Sequence, residues 1–406
     1  MRQASAADIH ERSAVILIVE STLTQQSGGR YVRDMVQSGL EGVVAATTRL
    51  SHVDGERGEL IIAGFPVAEL AARASFEETT WLLWHDALPT AAELSVFRRE
   101  LAGERDLPAA TLALLREAVR AGADAMDALR MAVDTISIAG RSATAIVARC
   151  PTIIAAFWRL GRHEDPIAPR ADLSHAANFL YMLDGGTPDP DRVRGLETYL
   201  NTVVDHGLNA STFTCRVITS TGSDLVSAVV GAIGALKGPL HGGAPGPALD
   251  MVFEIGNAAH AEAVLRRKIE AGEKLMGFGH RVYRVRDPRA DVLSAAAERL
   301  YTRGGDMALY TLARSVEATA LRLLEEYKPG RRLQTNVEFY TALLLHGLRL
   351  DVPLFTPTFA MSRVSGWIAH AFEQQRTNRI IRPQSEYSGP RDRVWVPVQE
   401  RSSAPT

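Results

Sequence analysis

The stretch Ser315-Val316-Glu317-Ala318-Thr319-Ala320-Leu321-Arg322-Leu323-Leu324-Glu325-Glu326-Tyr327 decides the fold class. Val316, Ala320, Leu323 and Tyr327 follow one another at steps of four, three and four residues, the period that gathers apolar side chains on one face of an α-helix. The same steps recur at 91–102, 109–121, 173–183 and 291–301, and each segment is bounded by Gly, Pro or a capping Asp, Ser or Thr. Pro89, Pro108, Pro151, Pro188, Pro239, Pro288, Pro329 and Pro353 punctuate this pattern every few tens of residues. The reading is an all-α protein with many helices of moderate length. No repeat of fixed period is present, which argues against a solenoid. One β signal interrupts the helices: Leu60-Ile61-Ile62-Ala63-Gly64-Phe65-Pro66, after Asp54-Gly55, reads as a small hairpin over 58–67. Residues 166–169 and 184–190 read as loops, and the tail after Gly389 loses its period. Residues 1–38, with the linker-like Gln25-Gln26-Ser27-Gly28-Gly29, read as an arm, either disordered or a small accessory element.

A chain of 406 residues has room for two or three units with ample core. Lys plus Arg is 45 and Asp plus Glu 47, a net charge of -2, with 46% hydrophobic and 23% charged residues. That balance is globular and excludes a disordered polyelectrolyte. Without a basic excess to neutralise phosphates, no nucleic-acid partner is expected. Cys150 and Cys215 lack metal-ligand spacing and read as reduced thiols of a cytoplasmic protein. The apolar run 14–19 is too short for a secretory signal, and 225–236, which contains Ser227, Gly231 and Gly234, falls short of the ~18 residues of a membrane span. It reads as a buried helix, and no membrane partner is expected.

Gly-x-Gly-x-x-Gly, Walker, His-Glu-x-x-His and Gly-x-Ser-x-Gly motifs are absent. Three His-bearing segments rich in small residues stand out: Asp205-His206-Gly207-Leu208-Asn209-Ala210-Ser211, Gly238-Pro239-Leu240-His241-Gly242-Gly243-Ala244-Pro245 and Gly277-Phe278-Gly279-His280-Arg281-Val282-Tyr283-Arg284. His241 precedes a helix expected at 246–253, whose N-terminus disfavours imidazolium and leaves a neutral donor for a carbonyl oxygen. A turn histidine with a structural hydrogen bond is the alternative. Behind His280, Arg281, Arg284, Arg286 and Arg289 form either a local anion-binding surface or a solvated charge run.

Leu240-His241-Gly242-Gly243-Ala244, Gly277-Phe278-Gly279-His280-Arg281-Val282-Tyr283, Asp287-Pro288-Arg289-Ala290, Asn336-Val337-Glu338-Phe339-Tyr340, Arg363-Val364-Ser365-Gly366-Trp367-Ile368-Ala369-His370 and Arg382-Pro383 stand in this order. Through them the chain resembles the citrate synthase family, of the prokaryotic type that includes 2-methylcitrate synthases, over roughly residues 39–390. The resemblance implies an almost entirely helical homodimer whose large and small domains close over the substrates. It divides the chain into the arm at 1–38, large-domain parts at 39–241 and 349–390, a small domain at 242–348 and a tail at 391–406, with His241 at the hinge. It also implies condensation of acetyl-CoA with oxaloacetate and hydrolysis of the citryl thioester, with no metal and no redox cofactor.

The methyl protons of a thioester are very weak acids, so a carboxylate base needs simultaneous stabilisation of the enolate oxygen. By resemblance Glu338 is that base, His241 the donor to the thioester oxygen, and His280 polarises the ketone of oxaloacetate. Arg289 and Arg363 match carboxylate-binding arginines, Arg382 matches one that reaches in from the other subunit, and His206 and Asn209 match residues lining the oxaloacetate pocket. Leu275, Met276 and Gly277, with Arg281 and Arg284, are placed near CoA. The family's usual motif has Asp where this chain has Glu338. The extra methylene moves the base by roughly 1 Å, a displacement that can cost up to about 100-fold, so the motif reads as a variant active site. Two alternatives accompany this reading. A 2-methylcitrate synthase using propionyl-CoA differs by one methyl, worth only ~1–3 kcal/mol in a pocket. A non-catalytic CoA or oxaloacetate sensor, or a helical interaction module, has no need of His241, His280, Arg289 and Arg363 together.

Overall fold

The computed structural model describes residues 38–138, 142–242, 245–304 and 306–401. The chain divides into two units, 1–47 and 48–406. In the first, the described part holds a 3-10 turn, Ser38–Leu40. The arm read at 1–38 lies, apart from Ser38, outside the described residues, as do the last five residues of the tail.

The second unit is built from sixteen α-helices and one small sheet among the described residues. Strands β1 (Ser51–Asp54), β2 (Glu59–Ile62) and β3 (Phe65–Pro66) pair antiparallel in the order β1-β2-β3. The hairpin expected from the sequence is β2–β3. Its turn runs through Ala63 and Gly64, both at positive φ, as a tight hairpin requires. β2 buries Leu60 and Ile62. β1 pairs with its other edge and carries Ser51 towards the site.

The helices follow as α1 (Val67–Arg73), α2 (Phe76–His85), α3 (Ala91–Gly103), α4 (Ala109–Arg120), α5 (Ala125–Asp134), α6 (Ala143–Gly161), α7 (His175–Asp184), α8 (Pro190–Val203), α9 (Ala210–Ser220), α10 (Leu225–Leu236), α11 (Pro245–Ile255), α12 (Ala261–Glu270), α13 (Pro288–Gly304), α14 (Met307–Tyr327), α15 (Val337–Gly347) and α16 (Phe355–Arg376). The all-α expectation holds, and the quoted 315–327 stretch is the second half of α14. Starts are set by side-chain caps: Ser75 and Thr90 form capping boxes with Glu78 and Glu93, and Asn209 and Asn336 cap α9 and α15. Each such cap satisfies amides the helix leaves open, for about 1 kcal/mol.

The core is organised around α16, buried almost throughout between Phe355 and Ala371 and packed on α9, α10, α6, α2 and α8. α6 is long and apolar enough to cross a membrane, but most of it is buried in this core. Pro151 does not break it, contrary to its reading as punctuation; α6 runs straight through. The ring removes the bond to the Val147 carbonyl, and burial of Ile146, Val147, Ile153 and Ile154 around it outweighs that loss at about 1.5–3 kcal/mol per large side chain. Further along the chain, α13 packs on α15, α8 and α1, and α12 on α14.

Candidate active site

Two histidines are oriented by backbone amides. Asn209 caps α9, its Oδ1 accepting from Thr212 N at 3.1 Å and lying 2.8 Å from Ser211 Oγ, whose single proton serves either this oxygen or His241. The next free amide, Ser211 N, donates to His241 Nε2 at 3.3 Å, with Ser211 Oγ 2.8 Å from the same nitrogen. An amide can only donate, so Nε2 of neutral His241 is bare and the proton sits on Nδ1. Burial and the Arg363 guanidinium push His241 down to about 4, so it is neutral at pH 7. The start of α9 thus faces the imidazole, a helix end that the sequence pattern around His241 does not show.

His280 is held the opposite way round. Its Nδ1 accepts from Val282 N and Tyr283 N, both at 3.0 Å, while Arg289 Nη2 stands farther off, 3.4 Å from Nε2; the two shorter amide bonds put the proton of the neutral ring on Nε2. Burial, then Arg289, push it also to about 4. His206 lies beside it with ring centroids 5.8 Å apart, and its Nε2 is 3.1 Å from the Tyr283 hydroxyl. Burial, reinforced by Arg289 and Arg363, keeps His206 well below its ordinary range.

Arg289 lies in the first turn of α13 and is already paired: Nε and Nη2 donate to Asp287 at 3.0 and 2.7 Å. Arg363 differs. It projects from α16, is 1% exposed, and donates Nε to the Val203 carbonyl at 2.6 Å. Its guanidinium carbon is 4.7 Å from the Phe359 ring centroid. Among the described residues no carboxylate lies within 4.0 Å of it. Burial lowers it to about 10, Asp205 opposing. A buried guanidinium without a counter-ion is costly unless a ligand supplies the anion. Gly366 makes this placement feasible, because a Cβ there would stand 2.3 Å from the Val204 carbonyl oxygen.

Glu338, in the first turn of α15, is half-buried; burial pushes it up to about 7, with Arg289 opposing and Asp287 reinforcing. Its loop is laced to that of His280. Asn336 N donates to the Gly277 carbonyl (3.0 Å), Asn336 Nδ2 to the Gly279 carbonyl (2.8 Å), and Gly279 N to the Gln334 carbonyl (2.7 Å). Gly277 has φ of 89° and a Cβ there would meet Phe339 at 2.9 Å, so only glycine permits this approach.

Beneath the site runs a buried chain that the sequence reading did not single out. Asp205 accepts from Ser51 Oγ and lies 3.1 Å from His370 Nε2, while Arg216 Nη1 donates to His370 Nδ1 (3.0 Å) and to Glu373 (2.6 Å). Although burial raises the Asp205 carboxyl, His370, Arg363 and Ser51 hold it below its ordinary value. Ser51 Oγ also accepts from Gly207 N (2.8 Å), so the sheet braces the His206 loop. The only signal for Asp205 was its place next to His206.

The structure therefore brings His206, Asn209, His241, His280, Arg289, Glu338 and Arg363 into one cluster. Arg281 and Arg284 are exposed at its rim, the latter donating its amide to the Gly55 carbonyl; Leu275 and Gly277 are buried and Met276 half-buried. Arg286 is not free surface charge, since it pairs with Asp291 and Glu317. Arg382 is not in the cluster. It is exposed on a segment whose Ile381 amide bonds Ser220 Oγ at the far end of α9, about 16 Å of helix from Asn209. Among the described residues no group of three or more His, Cys, Asp or Glu is placed to hold a metal.

An unpaired guanidinium beside two neutral imidazole donors and a carboxylate of raised pKa equips an enzyme to hold a small carboxylic acid while making or breaking a bond next to a carbonyl. Comparison with known proteins narrows this. The family model described as citrate synthase, C-terminal domain, matches residues 39–384. "Citrate synthase" from Haloferax volcanii is 40% identical over 382 residues, 90% of this chain and 99% of that one. "2-Methylcitrate synthase" from Mycobacterium tuberculosis is also 40% identical, over 89% of this chain and 93% of that one. The solved ternary complex of carboxymethyl coenzyme A and oxaloacetate with citrate synthase from Thermoplasma acidophilum superposes with a TM-score of 0.83 at 30% identity, covering 90% of this chain and 99% of that one. The chain belongs to the citrate synthase family, and it is an enzyme of the acyltransferase type that forms a carbon–carbon bond.

Proposed function

We propose that this enzyme condenses acetyl-CoA with oxaloacetate to give citrate and free CoA. The carrying observation is the buried, unpaired Arg363 between two neutral histidines of opposite tautomer and Glu338. Arg363 and Arg289 take the carboxylates of oxaloacetate, with His206 and Asn209 lining its pocket, and His280 Nε2–H hydrogen-bonds its ketone oxygen. Glu338 removes a methyl proton from the thioester while His241 Nδ1–H stabilises the enolate oxygen. The carbanion attacks the polarised ketone carbon, the new alkoxide takes up a proton, and water then cleaves the citryl thioester to citrate and CoA thiol. A base poised near neutrality and donors that cost no ionisation suit this chemistry.

CoA is proposed to lie along Leu275, Met276 and Gly277 with its phosphates near Arg281 and Arg284, and no metal or other cofactor takes part. The proposed assembly is a cytoplasmic homodimer in which residues 242–348 close as a small domain and Arg382 completes the partner's site. The distance of Arg382 from its own cluster supports that last assignment. The equal identity to a 2-methylcitrate synthase keeps propionyl-CoA as the second reading. Thiol release with oxaloacetate and either acyl-CoA tests both: faster turnover with acetyl-CoA is expected, faster turnover with propionyl-CoA selects the second reading, and no release with either despite ligand binding overturns both.

A further inference from the structure

Glu317, on α14, lies behind the reacting groups and touches none of them. It is 4% exposed and both of its oxygens are occupied. Oε1 accepts from Arg286 Nη1 (2.5 Å) and Thr335 Oγ1 (2.7 Å), and Oε2 from the Tyr340 hydroxyl (2.5 Å) and Arg314 Nη1 (2.9 Å). Burial by itself raises this carboxyl, but the bonds from Tyr340, Thr335 and Arg286 outweigh it and keep Glu317 ionised.

Its partners come from the segments that carry the chemistry. Arg286 stands three residues before Arg289, and its Nε also pairs with Asp291. Thr335 stands three residues before Glu338, bridges Phe278, and offers its carbonyl to Asp287 N at 3.3 Å. Tyr340 stands two residues after Glu338 and has its ring 5.7 Å from the Arg286 guanidinium. One carboxylate thus gathers the turn that leads into Arg289 and the residues on both sides of Glu338.

We propose that Glu317 is the positioning residue that clamps the 334–340 segment to the 286–289 turn and thereby fixes the reach of Glu338 towards His280 and Arg289. The inference rests on Glu338 being the base. A glutamate has one more rotatable bond than an aspartate, so its carboxylate is placed only if the backbone on either side is held. A displacement of about 1 Å costs up to about 100-fold in rate.

The test uses the full-length enzyme with Glu317→Gln, whose amide NH2 confronts donors that need an acceptor. Turnover by thiol release, exchange of acetyl-CoA methyl protons with solvent deuterium, oxaloacetate affinity by calorimetry and melting temperature are measured together. Turnover and methyl exchange should fall in parallel by about 10- to 100-fold, with oxaloacetate affinity falling much less, because Asp287 still holds Arg289. Tyr340→Phe and Thr335→Val each remove one donor and leave the charge, so they should reproduce part of the loss with the same selectivity; if Glu317→Gln does not fold, they carry the test. Unchanged turnover, or losses of turnover and oxaloacetate affinity in equal measure, overturns the clamp. Glu338→Gln in the same assays separates the two claims. If it keeps full turnover, the base assignment falls and takes the clamp with it, whereas an inactive Glu338→Gln beside a fully active Glu317→Gln refutes the clamp alone.

Discussion

The surroundings of His241 and of His280 solve one problem in opposite ways. Both rings are pushed to about 4 and face the cluster as neutral donors. At His241 the capped start of α9 supplies a single amide to Nε2, leaving the proton on Nδ1. At His280 a tight turn folds back two of its own amides onto Nδ1, leaving the proton on Nε2. His370, in the core, follows the same logic with Arg216 as the fixed donor. At each ring the shortest fixed donors dictate which histidine nitrogen presents its proton; at His280 the two amides at 3.0 Å outweigh Arg289 Nη2, 3.4 Å from Nε2. The thioester and the ketone are each met by a preset hydrogen bond.

If His241 belongs with Glu338 to the thioester half and His280 to the ketone half, mutation should split them. Glu338→Gln should lower turnover by about 10²–10⁴-fold, the range of a general base, and His241→Ala by about 10²–10³-fold, the range of one oxyanion donor. Oxaloacetate binding measured by calorimetry should survive both. Near wild-type turnover in either would break the division.

The pH profile sharpens it next. With Glu338 at about 7, the reactive carboxylate is lost as pH falls, so the rate should drop about tenfold per unit below the limb. Arg289 and Arg363 hold Glu338 down, and a bound dianion neutralises them, so with oxaloacetate saturating the limb should lie at or above pH 7. The histidines, neutral down to about 4, should add no second limb between pH 5 and 7. A limb that survives in Glu338→Gln would contradict the assignment. Smallest of all, Ser211→Ala should leave turnover nearly unchanged, because the amide rather than the hydroxyl sets the His241 tautomer; a loss as large as that of His241→Ala would give the hydroxyl that role.

The helices were legible because apolar period and caps act within a few residues: α10 spans Leu225–Leu236 as read, and the 315–327 stretch lies inside α14. Pro151 misled because its cost is local while the burial of α6 that offsets it is tertiary. β1 left no signal, since Ser51-His52-Val53-Asp54 is short and polar and gains its stability by pairing with β2. At the site, residue identities were visible in the His, Arg and Glu motifs. Their orientation was not, because Ser211 reaches His241 across thirty residues and Glu317 reaches Arg286 across thirty-one. Arg286 could not be told from Arg284 by spacing, and only the packing of α14 shows that it faces inward.

The most direct measurement is nitrogen-15 NMR of the histidine rings in enzyme labelled at histidine, with His241→Ala and His280→Ala used to assign the signals. Between pH 6 and 8 two neutral rings that do not titrate are expected, His241 protonated on Nδ1 and His280 on Nε2. Imidazolium at either position, or the same tautomer at both, overturns the assignment of the two hydrogen bonds.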